Sequence, residues 1–182
     1  MPDTLLAGQA GLWTGGTALT NTTDTWHNLH DNLGRPLEKM PDQISPATNT
    51  VLVEDGKILL HRRSDNGTWA LPGGRMEIGE TAEECAVRET WEETGIEVKV
   101  KRLVGIYSDP RNYSIMRYPN GATVHYVNLL YEVERTGGDI AVSVESTEVG
   151  FFPVTALPEP LAPAARIRIK DALARRTEPF SR

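Results

Sequence analysis

Three glutamates in the run LPGGRMEIGETAEECAVRETWEETGI, residues 71–96, have a spacing suited to metal chemistry. Glu89, Glu92 and Glu93 are three and four residues apart, and such residues are neighbours on an α-helix. The run holds seven glutamates against two arginines, a crowding that is destabilising unless a cation or solvent screens it. Because Mg²⁺ and Mn²⁺ prefer hard oxygen ligands, the spacing predicts a divalent-cation site. The residues of the helix alone do not exclude the alternative, which is an acidic face that contacts only solvent.

A glycine pair, Gly73 and Gly74, comes shortly before these glutamates. Glycine adopts backbone angles that other residues avoid, and it lets a ligand approach the main chain closely. A loop that bends there can direct a backbone carbonyl at the same cation. The helix itself is predicted from Thr81 to Gly95, because Thr81 and Glu84 form a capping box and Gly95 is a stop signal.

The elements around this helix define the class of fold. The helical period predicts that Val87, Thr90, Trp91 and Thr94 share a packing face and that the three glutamates lie opposite. The flanking runs predict a hairpin around Asp55-Gly56, a strand in EVKVKRLVGIYSD, a hairpin with PNG at its turn, a strand in VGFFPV and a helix in APAARIRIKDALARR. Strands around one acidic helix, closed by a second helix, predict an α/β layered domain with a mixed β-sheet.

The order of the charged and glycine residues resembles the Nudix box of the Nudix hydrolase superfamily. It runs Gly74, five residues, Glu80, seven residues, Arg88-Glu89, two residues, Glu92-Glu93, one residue, Gly95-Ile96. Every charged and glycine position of that pattern is filled. Thr90 departs from it, because the family usually has an aliphatic residue there. The flanking strand pattern extends the resemblance over roughly residues 46 to 176.

The resemblance implies an α/β/α sandwich that cleaves a nucleoside diphosphate linked to another group. It implies that Glu92, Glu93 and the Gly73 carbonyl bind Mg²⁺ or Mn²⁺. Glu89 would be a further ligand or would help to activate water. Arg88 would orient the carboxylates through ion pairs, and Glu80 would support them or bind another ion.

An acidic residue outside the box is also expected at the site. In the family, a carboxylate from the region before the last strand often completes the metal site or acts as the base. Glu145 and Glu148 occupy that region here, and Glu148 is the first choice of the two. The alternative is that both belong to a solvated loop.

Four further residues are candidates for substrate binding. Arg62 and Arg63 stand at a strand end where family members often contact phosphate or base, and Arg111 and Tyr113 follow the box. Pro110 has a spacing associated with ADP-ribose-type members, whereas Tyr113 stands near one associated with dinucleoside polyphosphate members. The two spacings together do not choose a substrate, and aromatic residues on a strand are usually core.

Composition narrows the setting. The chain has 182 residues and a net charge of −6, which argues against a nucleic acid polymer as a general partner. No apolar run approaches the roughly 18 residues of a membrane span, so no membrane association is expected. A single cysteine, Cys85, excludes an intramolecular disulfide and predicts a reducing compartment, the cytoplasm.

The division into domains follows the change in composition. Residues 1–45 are predicted to be an N-terminal extension, and residues 46–182 the Nudix hydrolase domain. The extension carries Trp13, Trp26, Leu29 and Leu33, which a free tail would expose to water. It therefore either packs on its own domain or crosses to a second subunit. We hypothesise the latter, a homodimer whose interface includes this arm.

Taken together, these residues predict a metal-dependent pyrophosphohydrolase acting on a nucleotide-derived small molecule, with ADP-ribose or a nucleotide sugar first. One alternative is a nucleoside triphosphate pyrophosphohydrolase that clears damaged nucleotides. Another is a non-catalytic Nudix-like binding module. Loss of a box glutamate would mark that module, and the sequence has lost none.

Overall fold

The computed structural model describes residues 29–118 and 120–182. In this part of the chain, strands precede and follow the first helix, and the second helix lies between the last two strands. The elements are β1 Gln43–Val51, β2 Val53–Glu54, β3 Lys57–Arg63, β4 Trp69–Ala70, α1 Ala82–Thr94, β5 Ile96–Tyr107, β6 Ile115–Arg117, β7 Thr123–Gly138, β8 Ser146–Pro153, α2 Pro163–Leu173 and β9 Phe180–Ser181.

The strands form two sheets. The larger sheet is mixed: β7 pairs in parallel with β1 and antiparallel with β5 and β6, and β5 pairs in parallel with β9. In the smaller sheet, β3 lies between β4 and β8, with β2 completing it, and all pairings are antiparallel. The β2–β3 and β6–β7 hairpins confirm the two turns predicted from the sequence. The short strand β9 was not predicted.

Helix α1 begins and ends where its local residues require. The Thr81 hydroxyl accepts from the Glu84 amide while the Glu84 carboxylate accepts from the Thr81 amide, so the predicted capping box is present. Gly95 adopts a left-handed conformation with φ of 74° and ends the helix. Helix α2 begins at Pro163, as predicted. Neither of these two described helices combines the length and apolarity that crossing a membrane requires.

The two larger of the three apolar clusters of the described residues lie on opposite faces of the strands. Successive strand residues point to opposite faces, so Leu130 packs in the core that includes Ile169 of α2, whereas Tyr131 packs in the core that includes Ala86 of α1. Strand β3 divides in the same way, with Leu60 in the first core and Leu59 in the second. The helices therefore cover both faces, and the α/β sandwich with a mixed sheet is confirmed.

The segment before β1, residues 29–42, packs on its own domain. The Asp31 carboxylate is fully buried and accepts hydrogen bonds from the Leu33 amide and from the Arg35 amide and side chain. The Asn32 amide donates to the carbonyl of Ile115 in β6 at 2.6 Å. For this part of the predicted extension, the structure shows the first of the two arrangements considered. Trp13 and Trp26 lie outside the described residues.

Candidate active site

The glycine pair, Gly73 and Gly74, packs against strand β1 at positions where only glycine fits. The β1 amides of Thr48 and Thr50 donate to the carbonyls of Gly74 and Pro72, each at 2.9 Å. Gly73 has φ of 144°, and a Cβ there would stand 2.1 Å from the Thr48 carbonyl oxygen. These contacts pin the loop to the sheet with the Gly73 main chain facing helix α1.

The loop is bound to the helix through Glu93. The Gly73 amide donates to the Glu93 carboxylate at 2.8 Å. The carbonyls on either side, Pro72 and Gly74, are engaged by β1, but no described residue donates to the Gly73 carbonyl. That oxygen is consequently available to a ligand beside Glu93.

The helix turns its glutamates differently from the prediction. Glu89 and Glu93 are buried, with exposures of 9% and 4%, on the same side as Thr90, whereas Trp91 is 56% exposed. The predicted division of the helix faces was wrong for Trp91, Glu89 and Glu93, whereas Thr90 and Thr94 are buried and Glu92 is exposed, as predicted. The glycine loop and β1 cover the face that carries Glu89 and Glu93. The cost of burying these two side chains is compensated by the hydrogen bond from Gly73 to Glu93 and by the ion pair between Arg88 and Glu89.

Thr90, the departure from the family pattern, is accommodated by a partner on β1. Its hydroxyl lies 2.8 Å from the Thr50 hydroxyl and also donates to the Ala86 carbonyl at 2.7 Å. Both threonines are buried. A buried hydroxyl is tolerated when it is hydrogen-bonded, so the substitution keeps helix α1 in place without an aliphatic contact.

Arg88 connects three of the box carboxylates. Its guanidinium donates to Glu80 at 2.8 and 3.0 Å, to Glu89 at 2.8 Å and to Glu92 at 3.0 Å. The hydrogen bond from Arg88 holds the pKa of Glu80 down at about 2. The same bonds raise the pKa of Arg88. These contacts are the ion pairs through which, by the resemblance, Arg88 would orient the carboxylates.

Burial shifts the pKa values of two neighbouring side chains, Glu93 and His61. It raises the pKa of Glu93 to about 8, with the Glu89 charge adding to the shift, and it lowers the pKa of His61 to about 4. His61 Nε2 lies 3.6 Å from Glu93 Oε2, and His61 Nδ1 lies 2.7 Å from the Ser146 hydroxyl. Near neutral pH, without a cation, both groups are predominantly uncharged, so they do not form an ion pair.

The glutamates have the donor chemistry for a divalent cation, although they are not gathered around one point. Within residues 29–118 and 120–182, no three His, Cys, Asp or Glu side chains are close enough to hold a metal ion. Arg88 draws Glu89 and Glu92 to itself, and Gly73 holds Glu93. The residues nevertheless fit: their oxygens are hard ligands, and Gly74 leaves a cradle in which a Cβ would stand 2.5 Å from the Glu89 carboxylate.

These residues open onto a cleft of about 760 Å³. The predicted residues that line it are Gly73, Arg88, Glu89, Glu92, Glu93, Arg63, Tyr113 and Glu145. Three others lie elsewhere. Glu148 forms an exposed ion pair with Arg62 at 2.6 Å, and Arg111 pairs with Asp109 at 2.8 Å on the surface. The structure therefore brings Glu145 to the cleft and leaves out Glu148, Arg62 and Arg111.

Three of the polar residues of the cleft that were not predicted as site residues have a buried side-chain atom without a partner among the described residues. Asn32, Ser114 and Arg168 line it, each at most 8% exposed, and each carries a buried side-chain atom that bonds to none of the described residues. Asn32 comes from the segment before β1, Ser114 precedes β6, and Arg168 belongs to α2. Asn32 and Ser114 stand in unremarkable sequence contexts, and Arg168 belongs to a basic helix that favours a solvated face, so burial in the folded chain is the signal that singles them out.

A glycine loop held against a glutamate-bearing helix, inside this α/β sandwich, defines a hydrolase of the Nudix type. The family model described as NUDIX domain matches residues 44–173, more than half of the chain. The chain therefore belongs to the Nudix family, and it is a hydrolase that acts on phosphoric anhydride bonds.

The chain is also similar to individual Nudix proteins. A MutT-like protein of Streptomyces ambofaciens is 41% identical over 123 residues, which are 68% of this chain and 72% of that protein. An ADP-ribose pyrophosphatase of Methanocaldococcus jannaschii is 38% identical over 130 residues, 69% of this chain and 72% of that protein. The solved structure of an ADP-ribose pyrophosphatase from Streptococcus suis matches with a TM-score of 0.60 and 25% identity, covering 76% of this chain and 97% of that one.

Proposed function

We propose that the chain hydrolyses a nucleoside diphosphate linked to another moiety, with ADP-ribose or a nucleotide sugar as its first substrates. The observation that carries this proposal is that the α1 glutamates line a cleft of about 760 Å³, a volume within the range of small-molecule sites. Tyr113, Tyr118 and Tyr126 line the same cleft and offer aromatic surface to a nucleoside. Two of the relatives are named ADP-ribose pyrophosphatases, which supports the order of preference.

We assign the cation-binding role to Glu92, Glu93 and the Gly73 carbonyl, with Glu89 as a further ligand. The cation is Mg²⁺ or Mn²⁺ in this proposal, because all of these donors are hard oxygens. When bound, it supplies neutralisation of the diphosphate charge and a water molecule of lowered pKa.

The remaining groups orient the carboxylates and accept protons. Arg88 fixes the orientation of the Glu89 and Glu92 carboxylates through its hydrogen bonds to both. Our choice of general base moves from Glu148 to Glu145, because Glu145 lines the cleft while Glu148 is committed to Arg62. Burial raises the pKa of Glu89 and of Glu93, and the Glu145 charge adds to both shifts, so Glu145 acts electrostatically on two of the proposed cation ligands.

A substrate panel tests the proposal. Purified protein with Mg²⁺ or Mn²⁺ is given ADP-ribose, nucleotide sugars, dinucleoside polyphosphates and nucleoside triphosphates, and a coupled phosphatase reports the products. We expect the highest kcat/KM for a diphosphate-linked sugar. A clear preference for triphosphates would favour the nucleotide-clearing alternative. No turnover of any of these compounds would favour a binding module.

Divalent metal is expected to raise the melting temperature. Mn²⁺ at ten times its dissociation constant stabilises the native state by about 1.4 kcal/mol, or roughly 3–5 °C for a chain of this size. The shift is measured by thermal denaturation in EDTA and in Mn²⁺. Glu92→Gln should reduce it, whereas Glu83→Gln, an exposed change in the first turn of α1, should not. An equal shift in both variants would contradict the assignment of Glu92.

The homodimer remains a proposal, and the structure sharpens its test. Residues 29–42 pack on their own domain, so the deletion should remove residues 1–28 and leave that packing intact. We expect light scattering to report a dimer for the full chain and a monomer for the shortened one. A full-length monomer, or a shortened chain that is still a dimer, would show that this arm does not hold two subunits together.

A further inference from the structure

Arg168 is a buried cation in the wall of the cleft. It lies on α2, is 8% exposed, and lines the cleft together with Asn49 and Gly73. Its Nη1 donates to Asn49 Oδ1 at 3.0 Å, and its guanidinium lies 5.5 Å from the centre of the Tyr107 ring. Its Nε bonds to no described residue. Its interactions within the described residues are therefore with an uncharged amide, Asn49, and with the face of an aromatic ring, Tyr107.

No carboxylate of the described residues lies within 4.0 Å of this guanidinium. Asp171, on the same helix, is committed elsewhere: it accepts from Arg182 at 2.6 and 2.9 Å and from the Tyr107 hydroxyl at 3.1 Å. Burial lowers the pKa of Arg168 only to about 10, so the side chain stays charged at neutral pH. A charge that is buried without a counterion is costly, and buried charges are ordinarily paired.

Asn49 joins this cation to the glycine loop. Its Nδ2 lies 3.4 Å from the Pro72 carbonyl oxygen, and a Cβ on Gly73 would stand 2.6 Å from the same nitrogen. Arg168 is thus one side chain away from the loop that holds Glu93. An anion bound beside the glutamates through a cation would have this guanidinium within the same cleft.

We propose that Arg168, positioned by Asn49, is an oxyanion subsite that binds a phosphate group of the substrate. The proposal rests on the proposed function for the identity of that substrate, but not for the presence of the subsite. A guanidinium offers forked donors that match phosphate oxygens, and a bound phosphate supplies the counterion that the described residues do not provide. The diphosphate is then held from two sides, through the α1 carboxylates with their cation and through the α2 arginine.

The variant Arg168→Met separates a binding role from a structural one. Methionine fills a similar space without a charge, so the melting temperature should stay the same or rise, because an unpaired buried charge is removed. The kcat/KM for the best substrate should fall by about 10- to 100-fold, mainly through KM, because a charge-assisted contact to substrate is lost. Arg168→Lys keeps the charge without the fork and should fall between the two.

Inorganic phosphate provides a readout that needs no turnover. Phosphate at millimolar concentration should raise the melting temperature of the wild-type protein, in EDTA and in Mn²⁺, and should not raise that of Arg168→Met. Arg166→Met is the matched control, since Arg166 lies on the same helix but is exposed and paired with Glu159. It should keep both the phosphate shift and the activity.

The outcomes distinguish the two proposals. If phosphate stabilises the wild type and Arg166→Met but not Arg168→Met, the subsite stands even when no tested nucleotide is hydrolysed. If Arg168→Met melts lower together with its loss of activity, Arg168 is structural and the inference fails. A wild type that phosphate does not stabilise, or a phosphate shift that survives in Arg168→Met, also overturns it.

Discussion

Turnover by Glu93→Gln is expected to fall by at least about 100-fold, while the protein keeps its fold. The glutamine side chain has the same shape and still offers an oxygen to the Gly73 amide, the bond that Glu93 makes at 2.8 Å. Because burial raises the pKa of Glu93 to about 8, the site already tolerates an uncharged group in the absence of a cation. What the variant removes is the anionic ligand. Steady-state rates and circular dichroism of the purified variant measure both halves of this expectation.

Glu92→Gln is expected to behave in the same way for a different structural reason. Glu92 is exposed and bonded to Arg88 at 3.0 Å, so its loss should leave the free energy of unfolding nearly unchanged. Glu83→Gln, on the same helix, is the matched control and should retain full activity. Rates near wild type for Glu93→Gln at limiting Mg²⁺ would show that this carboxylate does not hold the catalytic ion.

Gly73→Ala is expected to destabilise the protein by about 3–5 kcal/mol, a large share of the typical stability of a domain. Its φ of 144° is a conformation that alanine rarely adopts, and the added methyl would stand 2.1 Å from the Thr48 carbonyl oxygen and 2.6 Å from the Asn49 Cα. These are backbone atoms of a paired strand and cannot move aside cheaply. Urea denaturation, followed by circular dichroism, measures the free energy of unfolding.

Two neighbouring glycines separate the possible causes. Gly79 has φ of 99°, but an alanine methyl there would meet no described atom within 4 Å, so Gly79→Ala reports backbone strain alone and should cost less. At Gly74 a methyl would meet the Glu89 carboxylate, the movable end of a side chain, at 2.5 Å. Gly74→Ala should therefore lower activity more than stability. If Gly73→Ala unfolds at the same urea concentration as wild type, the loop is not pinned to β1 as described.

Local signals made much of this protein readable from its sequence. The capping box of Thr81 and Glu84, the stop at Gly95 and the Asp55-Gly56 turn depend on residues close in sequence, and all are present. The residues proposed to bind a metal ion were chosen from fixed spacings within the box. The structure brings these residues to one cleft. Such features need no knowledge of distant partners, because neighbouring residues supply the hydrogen bonds.

The residues that were misplaced depend on contacts between distant segments. The helical period alone could not show that Glu89 and Glu93 face inward, because the glycine loop covers them: the Gly73 amide, 20 residues away, donates to Glu93, and Gly74 lies against the Glu89 carboxylate. In the same way, the sequence does not show that Glu148 pairs across the sheet with Arg62, 86 residues away, which leaves it outside the cleft that Glu145 lines. Arg168 is recognisable only once α2 is packed against β1.

The segment before β1 has a consequence for how relatives of this chain are compared. The family match spans residues 44–173, yet Asn32 contributes to the wall of the cleft and Arg182 ties the Asp171 carboxylate of α2. A protein trimmed to the matched range would lose Asn32 from the cleft and the Arg182 ion pair that anchors the helix carrying Arg168. The range matched by the family is therefore narrower than the set of residues that line the cleft and anchor α2, so a comparison limited to that range leaves these contacts out.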